Sequence, residues 1–133
     1  MRVVIDARMM SPLVTRGIGR YIEELVRAML DILSPQDRLI LLVRYPNTSP
    51  FLGHPFVEHI QADIPWYSLQ EQMRMPRLYR EARAELLHVP HWNLSLGYRG
   101  PLIVTIHDLL LRHQTTSSKA STRHPVVTMT KQL

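Results

Sequence analysis

Apolar and polar positions follow two rhythms along this chain. Arg2-Val3-Val4-Ile5-Asp6-Ala7-Arg8 is a short β-branched run, the pattern of a buried strand. A polar loop follows, from Ser11-Pro12 to Arg16-Gly17-Ile18-Gly19. Ile18, Ile22, Leu25, Val26, Met29, Ile32 and Leu33 then recur at spacings of three and four, with Glu23, Glu24, Arg27 and Asp31 opposite. This predicts a helix with one apolar face, ended by Ser34-Pro35. Arg38 to Val43 is a continuous apolar run of strand length, and Phe56 to Ile60 is a weaker one. Ser68 is placed to cap a helix running to about Ala84, with Glu71 completing a capping box. Pro76 inside that helix predicts a kink or a break near Met75. Glu85 to Val89 and Leu102 to Ile106, bounded by Pro90 and Pro101, read as two more strands. Strands and helices alternating in this order predict an α/β domain, Rossmann-like and three-layered, with a mainly parallel sheet.

Composition sets the limits of that reading. At 133 residues, with 45% hydrophobic and 20% charged positions, one soluble globular domain is expected rather than a disordered chain. The domain is placed at residues 1–112 and a basic Ser/Thr-rich tail, poorly ordered, at 113–133. No cysteine is present, which excludes disulfides, iron–sulfur clusters, thiolate zinc sites and a cysteine nucleophile. The longest apolar run, Leu39 to Val43, is far short of the ~20 residues of a membrane span. Asp6 interrupts the N-terminal run too early for a signal peptide, so a cytoplasmic location is expected.

The formal charge of +5 invites a nucleic-acid reading, but its position argues otherwise. Residues 1–108 hold twelve basic and eleven acidic side chains, whereas 109–133 hold Arg112, Lys119, Arg123 and Lys131 with no acid. The surplus lies in the tail, and nucleic acid is not the expected partner.

Candidate chemistry gathers at the ends of the expected strands. Gly17-Ile18-Gly19-Arg20 precedes the first helix, where glycines let backbone approach a phosphate and Arg20 can add a contact. The plain alternative is a turn without a ligand. Ile22 stands where a dinucleotide fingerprint needs its third glycine, so that motif is excluded. His107-Asp108 ends the last strand, where a neutral imidazole can orient a hydroxyl and Asp108 can set its tautomer; the bland reading is a histidine capping a turn. Asp6 and Arg8 end the first strand and either pair with each other or face the same cleft. His91, Trp92 and Asn93 suit stacking and hydrogen bonding at a sugar. His88 and His91 lack a third ligand nearby, and no metal is assigned. Arg74, Arg77, Arg80 and Arg83 form a broad basic band on the second helix, either a solvated face or one that meets anionic lipid headgroups.

Four of these segments occur together in a known order. Val4-Ile5-Asp6-Ala7-Arg8, Arg16-Gly17-Ile18-Gly19-Arg20-Tyr21, Leu86-Leu87-His88-Val89-Pro90-His91 and Val104-Thr105-Ile106-His107-Asp108-Leu109 resemble the N-terminal domain of family 4 (group 1) glycosyltransferases. The resemblance runs from Met1 to about Leu111 and fades after Arg112. It implies one half of a GT-B architecture, the acceptor side of a retaining hexosyltransferase that uses a nucleotide diphosphate sugar and a glycan or lipid acceptor. It implies no metal or other cofactor. Gly17 and Gly19 would approach the sugar donor's phosphates, and His107 would lie close to the transferred sugar. The C-terminal domain with its paired glutamates is absent from this sequence, so the chain alone is expected to be inactive. It would act with such a domain, or associate with itself through the exposed cleft face, and peripheral contact with the inner face of the membrane is a further expectation. A non-catalytic interaction module on the same fold is the alternative of a different class.

Overall fold

The computed structural model describes residues 1–11 and 17–107. Strand β1 (Arg2–Asp6) leads to helix α1 (Ile18–Leu30) and strand β2 (Arg38–Val43). A short 3-10 turn, Pro46–Thr48, precedes β3 (Val57–Gln61), helix α2 (Leu69–Glu81), β4 (Leu86–Val89) and β5 (Leu102–Val104). The strands form one sheet in the order β3-β2-β1-β4-β5, and every pairing is parallel. The chain is therefore a doubly wound, Rossmann-like α/β domain.

Side-chain alternation along β1 and β2 builds two cores. Val3, Ile5, Leu39, Leu41 and Val43 face Ile22 and Val26 of α1 on one side. Val4, Ile40, Leu42, Leu87 and Val89 face Met75, Tyr79 and Ala82 near α2 on the other. Both faces of the central strands are thus covered, which is why β2 reads as an unbroken apolar run rather than an alternating one.

The structure refines two local expectations. Helix α2 runs from Leu69 to Glu81 with Pro76 inside it, so the proline does not break it. Proline at this position leaves the Gln72 carbonyl without its usual helical donor. The Ser95 hydroxyl lies 3.4 Å from that carbonyl and 3.4 Å from the Glu71 carbonyl, and supplies a replacement. The capping box is also only half formed. The Ser68 hydroxyl accepts from the Glu71 amide at 3.1 Å, but the Glu71 carboxylate accepts from the Tyr67 amide, one residue earlier than a box requires. Glu71 is drawn away because it serves a buried charge network. The proposed tail, 113–133, lies outside the described residues.

Candidate functional site

Helix α1, which follows β1, packs on one face of the sheet, and the segment after β4 packs on the other through Leu94 and Tyr98, so the connections leaving β1 and β4 part in opposite directions. In doubly wound sheets this divergence leaves a crevice at the carboxyl ends of the strands. The segments after β1, β4 and β5 and the first turn of α1 meet there.

The floor of the crevice is a buried ion network. Arg8 follows β1 and is 2% exposed; Asp6 and Glu71 are 4% and 1% exposed. Arg8 Nε donates to Asp6 Oδ1 at 2.8 Å, and Nη2 donates to Asp6 Oδ2 at 2.7 Å and to Glu71 Oε1 at 2.6 Å. Its Nη1 reaches the Ile64 carbonyl at 3.3 Å, and its guanidinium lies 4.1 Å from the centroid of the Trp66 ring. Asn93 donates to Glu71 Oε1 at 2.6 Å. Burial acts to lower the Arg8 pKa, but the hydrogen bonds and charges of Asp6 and Glu71 outweigh it and raise the pKa above its ordinary value. Among the described residues, no buried side-chain nitrogen or oxygen lacks a partner. Asp6, Arg8 and Asn93 are thus spent on one another and on Glu71, beneath the crevice surface rather than at it.

Above this floor, half-buried aromatic side chains form one wall. Tyr67 and Trp92 have ring centroids 5.6 Å apart, and His91 stacks on Trp92 at 5.5 Å. His91 also lies 6.4 Å from Trp66 and 6.3 Å from Tyr67. Tyr67 has φ of 55°, a left-handed conformation unfavourable for an aromatic residue, and the Glu71 carboxylate holds its amide at 2.8 Å. His91 Nδ1 accepts from the Asn93 amide at 3.2 Å, which assigns the ring proton to Nε2. Burial lowers the His91 pKa, and the nearby Asp6 and Glu71 only partly oppose this.

The opposite wall carries His107, His88, Tyr21 and Thr105. His107 is exposed and its Nε2 lies 3.0 Å from the Pro90 carbonyl, which can only accept, so the proton sits on Nε2. With Nε2 donating, Nδ1 of the neutral tautomer is the ring's acceptor position. The Tyr21 ring meets His107 edge-on at 4.9 Å, which places that histidine beside the first turn of α1. His88 Nε2 lies 2.8 Å from Thr105 Oγ1, and the Tyr21 hydroxyl lies 3.3 Å from the same oxygen. Burial, followed by the neighbouring His107, lowers the His88 pKa and favours its neutral form.

The glycine segment divides into two roles. Gly17 is exposed, has φ of 57°, and has open space around the position of a Cβ. Gly19 is buried, and a Cβ there would lie 2.7 Å from the Met9 carbonyl oxygen. Gly19 therefore serves the close approach of α1 to the backbone after β1, while Gly17 faces solvent. Ile18 packs against the α1-side core and Arg20 is exposed. Gly17 at the N-cap has no side chain with which to cap α1. Asp108 lies outside the described residues; within them the Pro90 carbonyl already fixes the His107 tautomer.

Sequence reasoning brought Asp6, Arg8, His91, Trp92, Asn93 and His107 to one edge of the sheet, and the structure collects them there. It missed Glu71, Trp66, Tyr67, Tyr21 and Thr105. Glu71 was visible only as a capping residue, and no pattern in the sequence singled out Trp66 and Tyr67. No protein-family model matches the chain, and neither a curated protein nor a solved structure does.

Proposed function

We propose that this chain is the acceptor-side domain of a retaining, family 4-like glycosyltransferase. It would work with a donor-binding domain to pass a hexose from a nucleotide diphosphate sugar to a glycan or lipid acceptor. In that reaction the bond from the anomeric carbon to the diphosphate breaks and one to the acceptor oxygen forms. The acceptor proton leaves, and the departing diphosphate takes the negative charge. The observation that supports the reading is His107, tautomer fixed by Pro90, standing beside the first turn of α1 at the carboxyl edge of the sheet. The helix end and Gly17 suit an approaching diphosphate, with Arg20 on the same turn. His107 suits a sugar hydroxyl, and the Tyr67–Trp92–His91 wall suits the apolar face of an acceptor ring. Half a crevice leaves the leaving group solvated, so catalysis needs the second domain. Activity would then lie in the cytoplasm, at the inner face of the membrane if the acceptor is a lipid.

Calorimetry with nucleotide diphosphate sugars tests this. Weak binding that disappears in His107→Ala, an exposed position whose loss leaves the fold intact, is the expected result. No binding by either form, or equal binding by both, would refute the assigned crevice. Turnover by the purified chain alone would refute the need for a second domain.

A second reading, a non-catalytic interaction module, is favoured by β5, which lies at one edge of the described sheet with Ile103 50% and nearby Ile106 57% exposed. Light scattering separates the two. Concentration-dependent dimerisation without sugar-nucleotide binding supports the module, and a monomer that binds the nucleotide sugar excludes it.

A further inference from the structure

The outer face of α2 is built for a surface other than water. Taking about 100° per residue, Leu69, Met73, Arg77 and Arg80 fall within ~80° of one another, opposite the buried Glu71, Met75 and Tyr79. Leu69 is 84% exposed, Met73 is 77% and Leu96, beside the helix, is 59%. Leu96 is fixed there because its amide donates to Gln72 Oε1 at 3.0 Å, while the Gln72 amide group donates to the Leu94 carbonyl. Gly97 permits this docking, since a Cβ at that position would lie 3.0 Å from the Pro76 ring. Three large apolar side chains are therefore held outward on one rigid ledge at the N-terminal half of the helix.

Cations lie on this face at Arg77 and Arg80 and on its flank at Arg74. Arg74, Arg77 and Arg80 are all exposed. Among the described residues the nearest approach to neutralisation is Arg77 to Glu81 at 3.8 Å, an exposed pair of little strength. Exposed leucine and methionine beside exposed arginine match the two layers of a membrane surface, acyl chain and anionic headgroup. A nucleic acid would use the arginines but has no use for the apolar ledge. No helix among the described residues is long and apolar enough to cross a membrane.

We infer that the outer face of α2 docks peripherally on a bilayer containing anionic lipid, with Leu69, Met73 and Leu96 entering the headgroup boundary and Arg74, Arg77 and Arg80 lying on the charged surface. The inference stands whether or not the chain takes part in sugar transfer. It also places the aromatic wall of the crevice near the membrane plane, because Tyr67 immediately precedes α2.

Flotation of the full chain with vesicles tests it. Vesicles of 70:30 phosphatidylcholine to phosphatidylglycerol (about this ratio, enough to give a negative surface potential) should carry the protein up the gradient, and pure phosphatidylcholine should not. Arg74→Gln, Arg77→Gln and Arg80→Gln should each weaken binding about fivefold, and the effect should shrink with salt. The Leu69→Gln/Met73→Gln double variant should weaken it at least about tenfold with an unchanged circular dichroism spectrum. Absence of binding, or full binding by the triple arginine variant, overturns the inference. Binding that ignores the apolar double variant yet is abolished by competing RNA overturns it too, in favour of a polyanion site.

Discussion

Nη2 of Arg8 lies 2.6 Å from Oε1 of Glu71 and 2.7 Å from Oδ2 of Asp6, so one guanidinium joins the end of β1 to the first turn of α2. Asn93, beyond β4, closes the same junction through Glu71. Three segments far apart in sequence share one buried knot of charge. Truncating Arg8 would leave two carboxylates facing each other without a counter-ion. Arg8→Met is expected to destabilise the domain by about 3–5 kcal/mol, and Glu71→Gln, which keeps the shape and two of the acceptor contacts, by less. Urea unfolding checks this; a loss below about 1 kcal/mol for Arg8→Met would show that the network adds little to stability.

Ser95 and Pro76 should be coupled. Ser95→Ala leaves the Gln72 carbonyl without its replacement donor and is expected to cost about 1 kcal/mol. In a Pro76→Ala background, the restored amide serves that carbonyl and the Ser95→Ala cost should fall to near zero. A double-mutant cycle showing simple additivity would refute this account of how α2 tolerates its proline.

The two glycines before and within α1 should respond differently to alanine. Gly19→Ala drives a methyl group against the Met9 backbone, which cannot rotate away, and is expected to cost about 1–3 kcal/mol. Gly17→Ala meets no atom but keeps φ at 57°, for a cost of ~1 kcal/mol. Thermal melts of the two variants settle the ranking, and the reverse order would contradict the packing described.

Acid should weaken the fold through its histidines. His59, His88 and His91 each have a pKa below the ordinary 6.5, chiefly because burial disfavours the charged ring. The unfolded chain therefore takes up protons where the folded chain does not. Their contribution is fully present above about pH 6.5 and is lost as pH falls below it. Stability measured by urea at pH 7.5 should exceed that at pH 5.5, and His59→Asn should flatten the difference. A stability independent of pH over this range would be inconsistent with buried neutral histidines.

The layers of the fold were legible because burial on both faces writes itself plainly: β2 is apolar from Leu39 to Val43, and α1 repeats at helical spacing. The site was legible only in part. His107 and His91 stand at strand ends, where sequence order alone puts them on one edge. Glu71 was hidden because its local signal, three residues after Ser68, is that of an ordinary helix start. Its real partner is 63 residues away, and no spacing rule reaches so far. Trp66 and Tyr67 were hidden for a related reason, since their place in the crevice depends on a left-handed turn that no glycine announces. Pro76 causes no break because its compensation comes from Ser95, on a different segment that no local pattern reveals.

The crevice has a firm floor and a looser rim at His107. Arg8 follows β1, the central strand, whose opening requires the whole sheet to come apart. His107 follows β5, three residues long and at the edge of the described sheet. Edge strands with exposed side chains open locally long before the domain unfolds, so exchange of the Thr105 amide, bonded to the Val89 carbonyl, should run well ahead of that of Ala7, bonded to Leu42. On this expectation the histidine would leave and rejoin an otherwise intact crevice, and whatever steadies β5 would set how often it faces the aromatic wall.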